Sequence, residues 1–253
     1  MTRLRAFLFF LYFGLMSVAM NVGCLPVLLG PRGWTVWAMR CWARLTLFGL
    51  RAIAGIGMEV RGRPYIPAGG ALIASKHLSM WETIAFHLLV ADPAMVMKRE
   101  LLAVPLYGRY AQRAQMIVID REAGAKTLKG MLSAAKMRLS EGRQIVIFPE
   151  GTRHQPGAPA DYKSGVAALY GYLGAPCIPV ALNSGLFWPK AGTLKRSGTI
   201  VIEFLPPIPP GLARAEFMAK LEGAIEPATA RLLAEVPGVA FPQPGDKPGL
   251  ACG

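Results

Sequence analysis

Apolar positions along this chain fall into two regimes. From Ala6 to Gly30 no side chain is charged, a run of about 25 residues preceded by Arg3 and Arg5. That exceeds the ~20 residues a helix needs to cross a hydrocarbon core. Gly30-Pro31-Arg32-Gly33 reads as a turn, and a second apolar segment, roughly Trp34 to Gly55, follows it. There Arg40, Arg44 and Arg51 fall within about 40° of one another on a helix, and Trp37, Cys41, Trp42, Leu45, Phe48 and Ile53 occupy other positions. An arginine stripe on a Trp-rich apolar helix belongs at a headgroup boundary.

From Met58 the pattern changes to short apolar runs alternating with helix-length segments. It predicts strands at Met58–Arg61, Ala71–Ser75, Ala94–Met97, Met116–Ile119, Gln144–Phe148, Cys177–Leu182 and Thr199–Phe204. It predicts helices at Met80–Val90, Val104–Arg113, Gly124–Glu141, Gly165–Leu173 and Ala213–Leu233, the last kinked at Pro227. This alternation points to the α/β class, a central mostly parallel or mixed sheet flanked by helices, preceded by an N-terminal two-helix membrane-binding hairpin. The expected organisation is a membrane-associated segment at 1–57, a catalytic domain at 58–236 and a Pro/Gly-rich disordered tail at 237–253.

Composition adds a setting. The 253 residues are 53% hydrophobic and 17% charged, against a charged share of about 25% in typical soluble domains. Yet 28 Lys+Arg face 15 Asp+Glu, for a formal charge of +13. An apolar, basic chain suits an anionic membrane surface, where each nearby basic residue is worth roughly 1 kcal/mol. Nucleic acid is the rival partner for a basic chain, but low polarity and the lack of a dense Lys/Arg tract argue against it. Cys24, Cys41, Cys177 and Cys252 form no C-x-x-C and no disulfide framework, which fits a reduced cytoplasmic location. His77, His87 and His154 are the only histidines; no H-E-x-x-H or Cys/His cluster is present, so no protein-bound metal is expected. For the first apolar segment, a cleaved signal peptide lacks a clean small-x-small site, and a lipoprotein signal at Cys24 fails on the polar Asn21. A single span competes with the hairpin, because arginines flank both ends and the positive-inside bias is weak. The preferred reading is a hairpin seated in the cytoplasmic leaflet of the inner (plasma) membrane.

Two stretches carry candidate chemistry. His77-Leu78-Ser79-Met80-Trp81-Glu82 offers an imidazole and a carboxylate, the parts of a general base and its orienter. Five residues apart, the two would lie about 140° apart on one regular helix, so they meet only if His77 sits in the turn before it. Ser79-Met80-Trp81-Glu82 also matches the S-x-x-E capping box, and Glu82 as a simple helix cap stands as the competing reading. The second stretch is Phe148-Pro149-Glu150-Gly151-Thr152-Arg153. Pro149 stops a strand, Gly151 lets backbone N–H groups approach an anion, Thr152 adds a donor and Arg153 a planar fork for phosphate. Lys163-Ser164-Gly165 opens a helix whose N-terminus could face the same anion. A surface turn with an incidental arginine is the competing reading here. A base beside a phosphate clamp suggests activation of a hydroxyl on a phosphorylated substrate.

Together these stretches resemble the lysophosphatidic acid (1-acylglycerol-3-phosphate) acyltransferase family, whose members show four blocks in order. The first is a histidine, four residues and a carboxylate, usually Asp; here it is His77 with Glu82, an accepted variant that reaches one methylene further. The second resembles Lys98-Arg99-Glu100-Leu101 with Pro105 and Gly108, the third Phe148 to Arg153, and the fourth Ile178-Pro179-Val180-Ala181. The resemblance covers roughly Met58 to Phe204 and the hairpin. It implies that His77 takes the hydroxyl proton of a lysophospholipid while Glu82 holds the imidazole tautomer. The hydroxyl then attacks the thioester of acyl-CoA or acyl-carrier protein directly, with no bound cofactor, and lysophosphatidic acid becomes phosphatidic acid. Arg153, Thr152 and Gly151 would bind the acceptor's phosphate with Lys98 or Arg99 assisting, and Glu150 would orient the loop. Three alternatives stand beside it. One is acylation of another lysolipid, such as a lyso-ornithine lipid, for which Arg153 would serve a different anion. A non-catalytic lipid-surface protein would be expected to lack His77 or its carboxylate. A serine hydrolase would need G-x-S-x-G, which is absent.

Overall fold

The apolar start of the chain folds into two antiparallel helices, α1 (Arg3–Gly23) and α2 (Arg32–Ala54), in a computed structural model that describes residues 3–120, 124–190 and 193–238. Side-chain hydrogen bonds tie the pair along its length. Arg5 Nε donates to the Ile53 carbonyl at 2.8 Å, the Tyr12 hydroxyl to the Leu45 carbonyl at 3.0 Å, and Trp42 Nε1 to Ser17 Oγ at 2.9 Å. The uncharged run does not form one helix. It breaks after Gly23, and Leu25–Leu29 forms a 3-10 turn with Pro26 at its start, where the missing N–H and fixed φ oppose continued α-helix. The 21 residues left in α1 span roughly 31 Å.

The rest is an α/β fold. In chain order it comprises β1 (Ile56–Arg61), β2 (Ala71–Ser75), α3 (Trp81–Leu89), β3 (Pro93–Lys98), α4 (Tyr107–Arg113), β4 (Ile117–Ile119), α5 (Gly124–Ser140), β5 (Gln144–Ile147), α6 (Gly165–Leu173), β6 (Cys177–Leu182), β7 (Gly198–Phe204) and α7 (Arg214–Ala234). The seven strands form one mixed sheet in the order β1-β7-β6-β2-β5-β3-β4. Only β6 and β7 pair antiparallel; every other pair is parallel. Strands β6, β2, β5 and β3 therefore all end on the same edge, where α/β folds place their sites.

The central strands β2, β5 and β6 are buried at every position, as expected where helices cover both faces. Side chains alternate between two cores with the period of two that a strand imposes. Ile73, Val146 and Val180 pack with α1, α2 and α3, whereas Leu72, Ala74, Ile145 and Ile147 pack with α5, α6 and α7. The first core is continuous with the hairpin, because Ala6, Phe9, Ala43, Leu50 and Ala54 belong to it together with Trp81, Ile84 and Phe86 of α3. Phe9, Phe10 and Phe13 close on Trp188 beyond β6, with ring centroids 5.4, 6.0 and 6.0 Å away.

One expected helix is shorter than its apolar pattern. Val104–Arg113 was expected to be helical, but α4 begins at Tyr107, after a 3-10 turn at Arg99–Ala103. Pro105 biases Val104 to extended backbone, and Leu106 adopts a φ of 62°. The chain bends back there so closely that a Cβ on Gly108 would lie 2.1 Å from the Leu102 carbonyl oxygen, so only glycine fits. α7 continues through Pro227. The expected tail, from residue 239 onward, lies outside the described residues.

Candidate active site

His77 lies between the end of β2 at Ser75 and the start of α3 at Trp81, so it is in the turn and not on the helix. Its Nδ1 is 2.9 Å from Glu82 Oε1. The same oxygen accepts the backbone N–H groups of Leu78 at 2.8 Å and Ser79 at 2.6 Å, while the Ser79 hydroxyl accepts the N–H of Trp81 at 3.0 Å. Glu82 thus caps its own helix and holds the imidazole with one carboxylate. The two readings of the spacing describe a single arrangement. Glu82 is fully buried, and its other oxygen, Oε2, accepts the Ser184 hydroxyl at 2.8 Å. Because Oε1 accepts at this point, Nδ1 is the matching donor and Nε2 is left as the acceptor.

The second stretch locks onto the first. β5 ends at Ile147, and Gly151 N–H returns to the Phe148 carbonyl at 2.8 Å, closing a turn with proline at its second position and glycine at its fourth. Gly151 sits at φ 65°, a backbone region glycine enters without strain. Glu150 turns inward and is fully buried. Its Oε2 accepts the backbone N–H of His77 at 2.9 Å, and His154 N–H donates to the His77 carbonyl at 2.9 Å. The imidazole stacks on the Phe148 ring at 4.1 Å between centroids and 20° between planes. His77 is therefore held at its ring, its ring face, its N–H and its carbonyl, and its side chain keeps 15% exposure.

Beneath it lies a buried ion cluster. Lys76 Nζ is 2.7 Å from Glu150 Oε1, at an angle that makes the contact an ion pair and not a directed hydrogen bond. It also lies 2.8 Å from Glu226 Oε1 on α7. The Tyr162 hydroxyl donates to Glu226 at 2.6 Å, and burial, then Glu226, holds its pKa above the usual tyrosine value. One lysine thus ties the histidine turn, the Glu150 turn and α7 together.

The remaining candidates sit differently. Arg153 and Thr152 are half-buried on the same loop as Glu150 and have no hydrogen bond or ion pair among the described residues. Lys98 and Arg99 are exposed at the end of β3, which β5 separates from β2. The Arg99 guanidinium is engaged by Asp120 at 2.7 Å, so the structure does not join it to the His77 cluster. His87 is buried toward the end of α3, its pKa lowered to about 4 by burial first and then by Arg40, with Asp92 opposing. Cys24, Cys41 and Cys177 are free thiols; Cys252 lies outside the described residues. Among the described residues no group of three His, Cys, Asp or Glu could hold a metal ion.

Sequence reasoning missed Lys76, Ser184, Tyr162 and Glu226. Two carried a faint signal. Lys76 continues a strand that is buried at every position, and Ser184 follows β6 on the edge where β2 and β5 end.

Comparisons with known proteins agree on the neighbourhood. The family model described as Acyltransferase matches residues 57–183. A Pseudomonas aeruginosa 1-acyl-sn-glycerol-3-phosphate acyltransferase is 39% identical over 165 residues, 65% of this chain and 64% of that protein. The human 1-acyl-sn-glycerol-3-phosphate acyltransferase alpha is 29% identical over 169 residues, 66% of this chain and 60% of its own. The aligned segment thus spans under two thirds of the length of either relative. The crystal structure of the 1-acyl-sn-glycerophosphate (LPA) acyltransferase PlsC from Thermotoga maritima superposes with a TM-score of 0.75 at 19% identity, covering 93% of this chain and 97% of that one, and so shares the fold.

Proposed function

Because this chain belongs to the Acyltransferase family, we propose that it is a 1-acylglycerol-3-phosphate acyltransferase. It moves a fatty acyl group from a thioester, of coenzyme A or acyl-carrier protein, to the free hydroxyl of lysophosphatidic acid. The observation that carries the mechanism is the 2.9 Å contact between His77 Nδ1 and the buried Glu82 carboxylate, in a turn clamped to the Glu150 loop. With Nδ1–H given to Glu82, Nε2 accepts the acceptor's hydroxyl proton. The hydroxyl oxygen attacks the thioester carbonyl, the carbon–sulfur bond breaks, and the departing thiolate takes the proton back from the imidazolium. Atoms and charges balance with no acyl-enzyme. Glu82 stabilises the imidazolium through both proton transfers.

Arg153 and Thr152 suit the acceptor's phosphate because they have no partner within the described structure. A fork-shaped guanidinium can grip two phosphate oxygens at once. Lys98 adds positive charge at the rim, whereas Arg99 would have to leave Asp120 to take part.

The hairpin supplies the bilayer contact. Leu4, Leu8, Leu11, Leu15, Val18 and Val22 form an exposed apolar stripe along α1, and Trp34, Trp37, Leu45 and Phe48 are exposed on α2. Arg44 and Arg51 are exposed on α2 as well, while Arg40 donates to the Ala91 carbonyl at 3.1 Å. An apolar face with neighbouring arginines suits a helix pair sunk into one leaflet with its cations at headgroups. Packing of Ala6, Phe9 and much of α2 against the domain favours this over a perpendicular span. The cytoplasmic leaflet is the one where anionic lipids attract such cations.

The deciding experiment assays purified protein with lysophosphatidic acid and each thioester donor. Formation of phosphatidic acid and free thiol, lost in His77→Ala, is the expected result. Equal acylation of a lysolipid without phosphate, such as a lyso-ornithine lipid, would move the acceptor assignment to that class.

A further inference from the structure

We infer that Ser184 is a positioning residue for the His77–Glu82 pair, and that the Asn183-Ser184-Gly185 turn is a third functional loop of the site; this rests on the general-base reading above. Glu82 is fully buried and receives four donors. Three of them fall on Oε1: His77 Nδ1, Leu78 N–H and Ser79 N–H. For Oε2 the only donor among the described residues is the Ser184 hydroxyl, itself fully buried, at 2.8 Å. Without it a buried carboxylate oxygen loses its hydrogen bond, and Glu82 is held through Oε1 alone.

The turn is built to deliver that hydroxyl. Asn183 fastens it from both sides. Its Oδ1 accepts Val201 N–H of β7 at 2.8 Å, and its Nδ2 donates to the Leu232 carbonyl of α7 at 3.3 Å. The Ser184 carbonyl accepts the N–H groups of Phe187 at 3.0 Å and Trp188 at 2.9 Å, closing the backbone on itself. At Gly185 a Cβ would lie 2.8 Å from Pro156 Cγ and 3.0 Å from Leu78 Cβ. The turn is therefore wedged between the histidine turn and the loop that follows Arg153, where only glycine allows so close an approach. Three strand ends, those of β2, β5 and β6, thus converge on one carboxylate–imidazole pair.

A structural serine and a positioning serine predict different kinetics. Ser184→Ala should lower kcat by roughly ten- to a hundredfold, the range for a lost hydrogen bond to a charged group, with KM for both substrates nearly unchanged. In a Glu82→Gln background Ser184→Ala should cost almost nothing more, since both act through one group. Ser184→Cys, close in size but with a weaker donor, should fall between serine and alanine and gives the same reading if the alanine variant folds poorly. Near-wild-type turnover in Ser184→Ala, or equal losses in both backgrounds, would each overturn the positioning role. If Glu82→Gln alone turned over normally, the general-base reading itself would fall. A slow Glu82→Gln beside a normal Ser184→Ala would remove only Ser184.

Discussion

The two loops that meet at His77 are built in opposite ways. On the histidine side nearly every polar atom is spent: the imidazole on Glu82, the backbone N–H on Glu150, the carbonyl on His154, and Glu150 on Lys76. Three residues beyond Glu150, Arg153 is left without a partner among the described residues. The difference fits the two tasks proposed for these loops. A base must stand where the proton will be, so its geometry is fixed in advance by burial and hydrogen bonds. A group that grips a substrate must keep its donors open until the substrate arrives.

The sharpest way to break this contrast is at the base. His77→Ala should lower acyl transfer by about a hundred- to ten-thousandfold while leaving a cooperative unfolding transition, because His77 meets the core only at its border, through the partly buried Phe148 and through Glu82. Turnover near wild type would end the general-base assignment. Next in size is the buried cluster. Lys76→Met leaves two carboxylates without their cation, and removing one partner of a buried pair costs about 3–5 kcal/mol; the Lys76 side chain is 3% exposed. Arg99→Met, at an exposed pair, should change stability by about 1 kcal/mol or less. Denaturant titration of the two variants sets a buried ion pair against an exposed one; equal effects would erase the energetic difference between them.

Arg153→Lys comes third. It keeps the charge and loses the fork, so KM for the phosphorylated acceptor should rise about ten- to a hundredfold, with KM for the thioester unchanged. Loss confined to kcat would show that the arginine aligns the reacting hydroxyl instead. The last expected effect lies away from the site, at His87. Its folded pKa is depressed to about 4 by burial and Arg40, below an unfolded value of about 6.5. The associated stability is fully present above the unfolded pKa and is lost as pH falls toward the folded one. Between pH 7 and 5 the loss is on the order of 2 kcal/mol. His87→Leu should flatten that part of the stability profile, as measured by unfolding at fixed denaturant; an unchanged slope would assign it to other groups.

Much of the fold was legible because periodicity is a local property. The continuous apolar runs Ala71–Ser75 and Cys177–Leu182 and the segment Gly165–Leu173 are β2, β6 and α6 with the expected limits. The link from β3 to α4 was not, since its backbone is set by Pro105 and by the close approach of Gly108 to Leu102, which the apolar pattern does not encode. Within the site the contrast is similar. His77 and Glu82 are five residues apart, so their meeting could be posed from spacing alone. Ser184 and Glu226 reach the site from 102 and 150 residues away along the chain, from Glu82 and Lys76 respectively. Serine and glutamate at such distances are indistinguishable from surface residues until the sheet order brings the strand ends together.

The edge-on packing of Phe9, Phe10 and Phe13 against Trp188 has a consequence for how this protein can be handled. Trp188 closes the same short turn that presents the Ser184 hydroxyl, so the first helix is a keystone as well as an anchor. Cutting the chain before β1 to obtain a water-soluble fragment would strip the rings from Trp188 and lay bare the faces of Ile73, Trp81 and Phe86 that α1 and α2 help to cover. The route to a soluble form is the outward stripe, through substitutions such as Leu11→Gln and Leu15→Gln, where the side chains are 48% and 65% exposed and stand outside that core cluster.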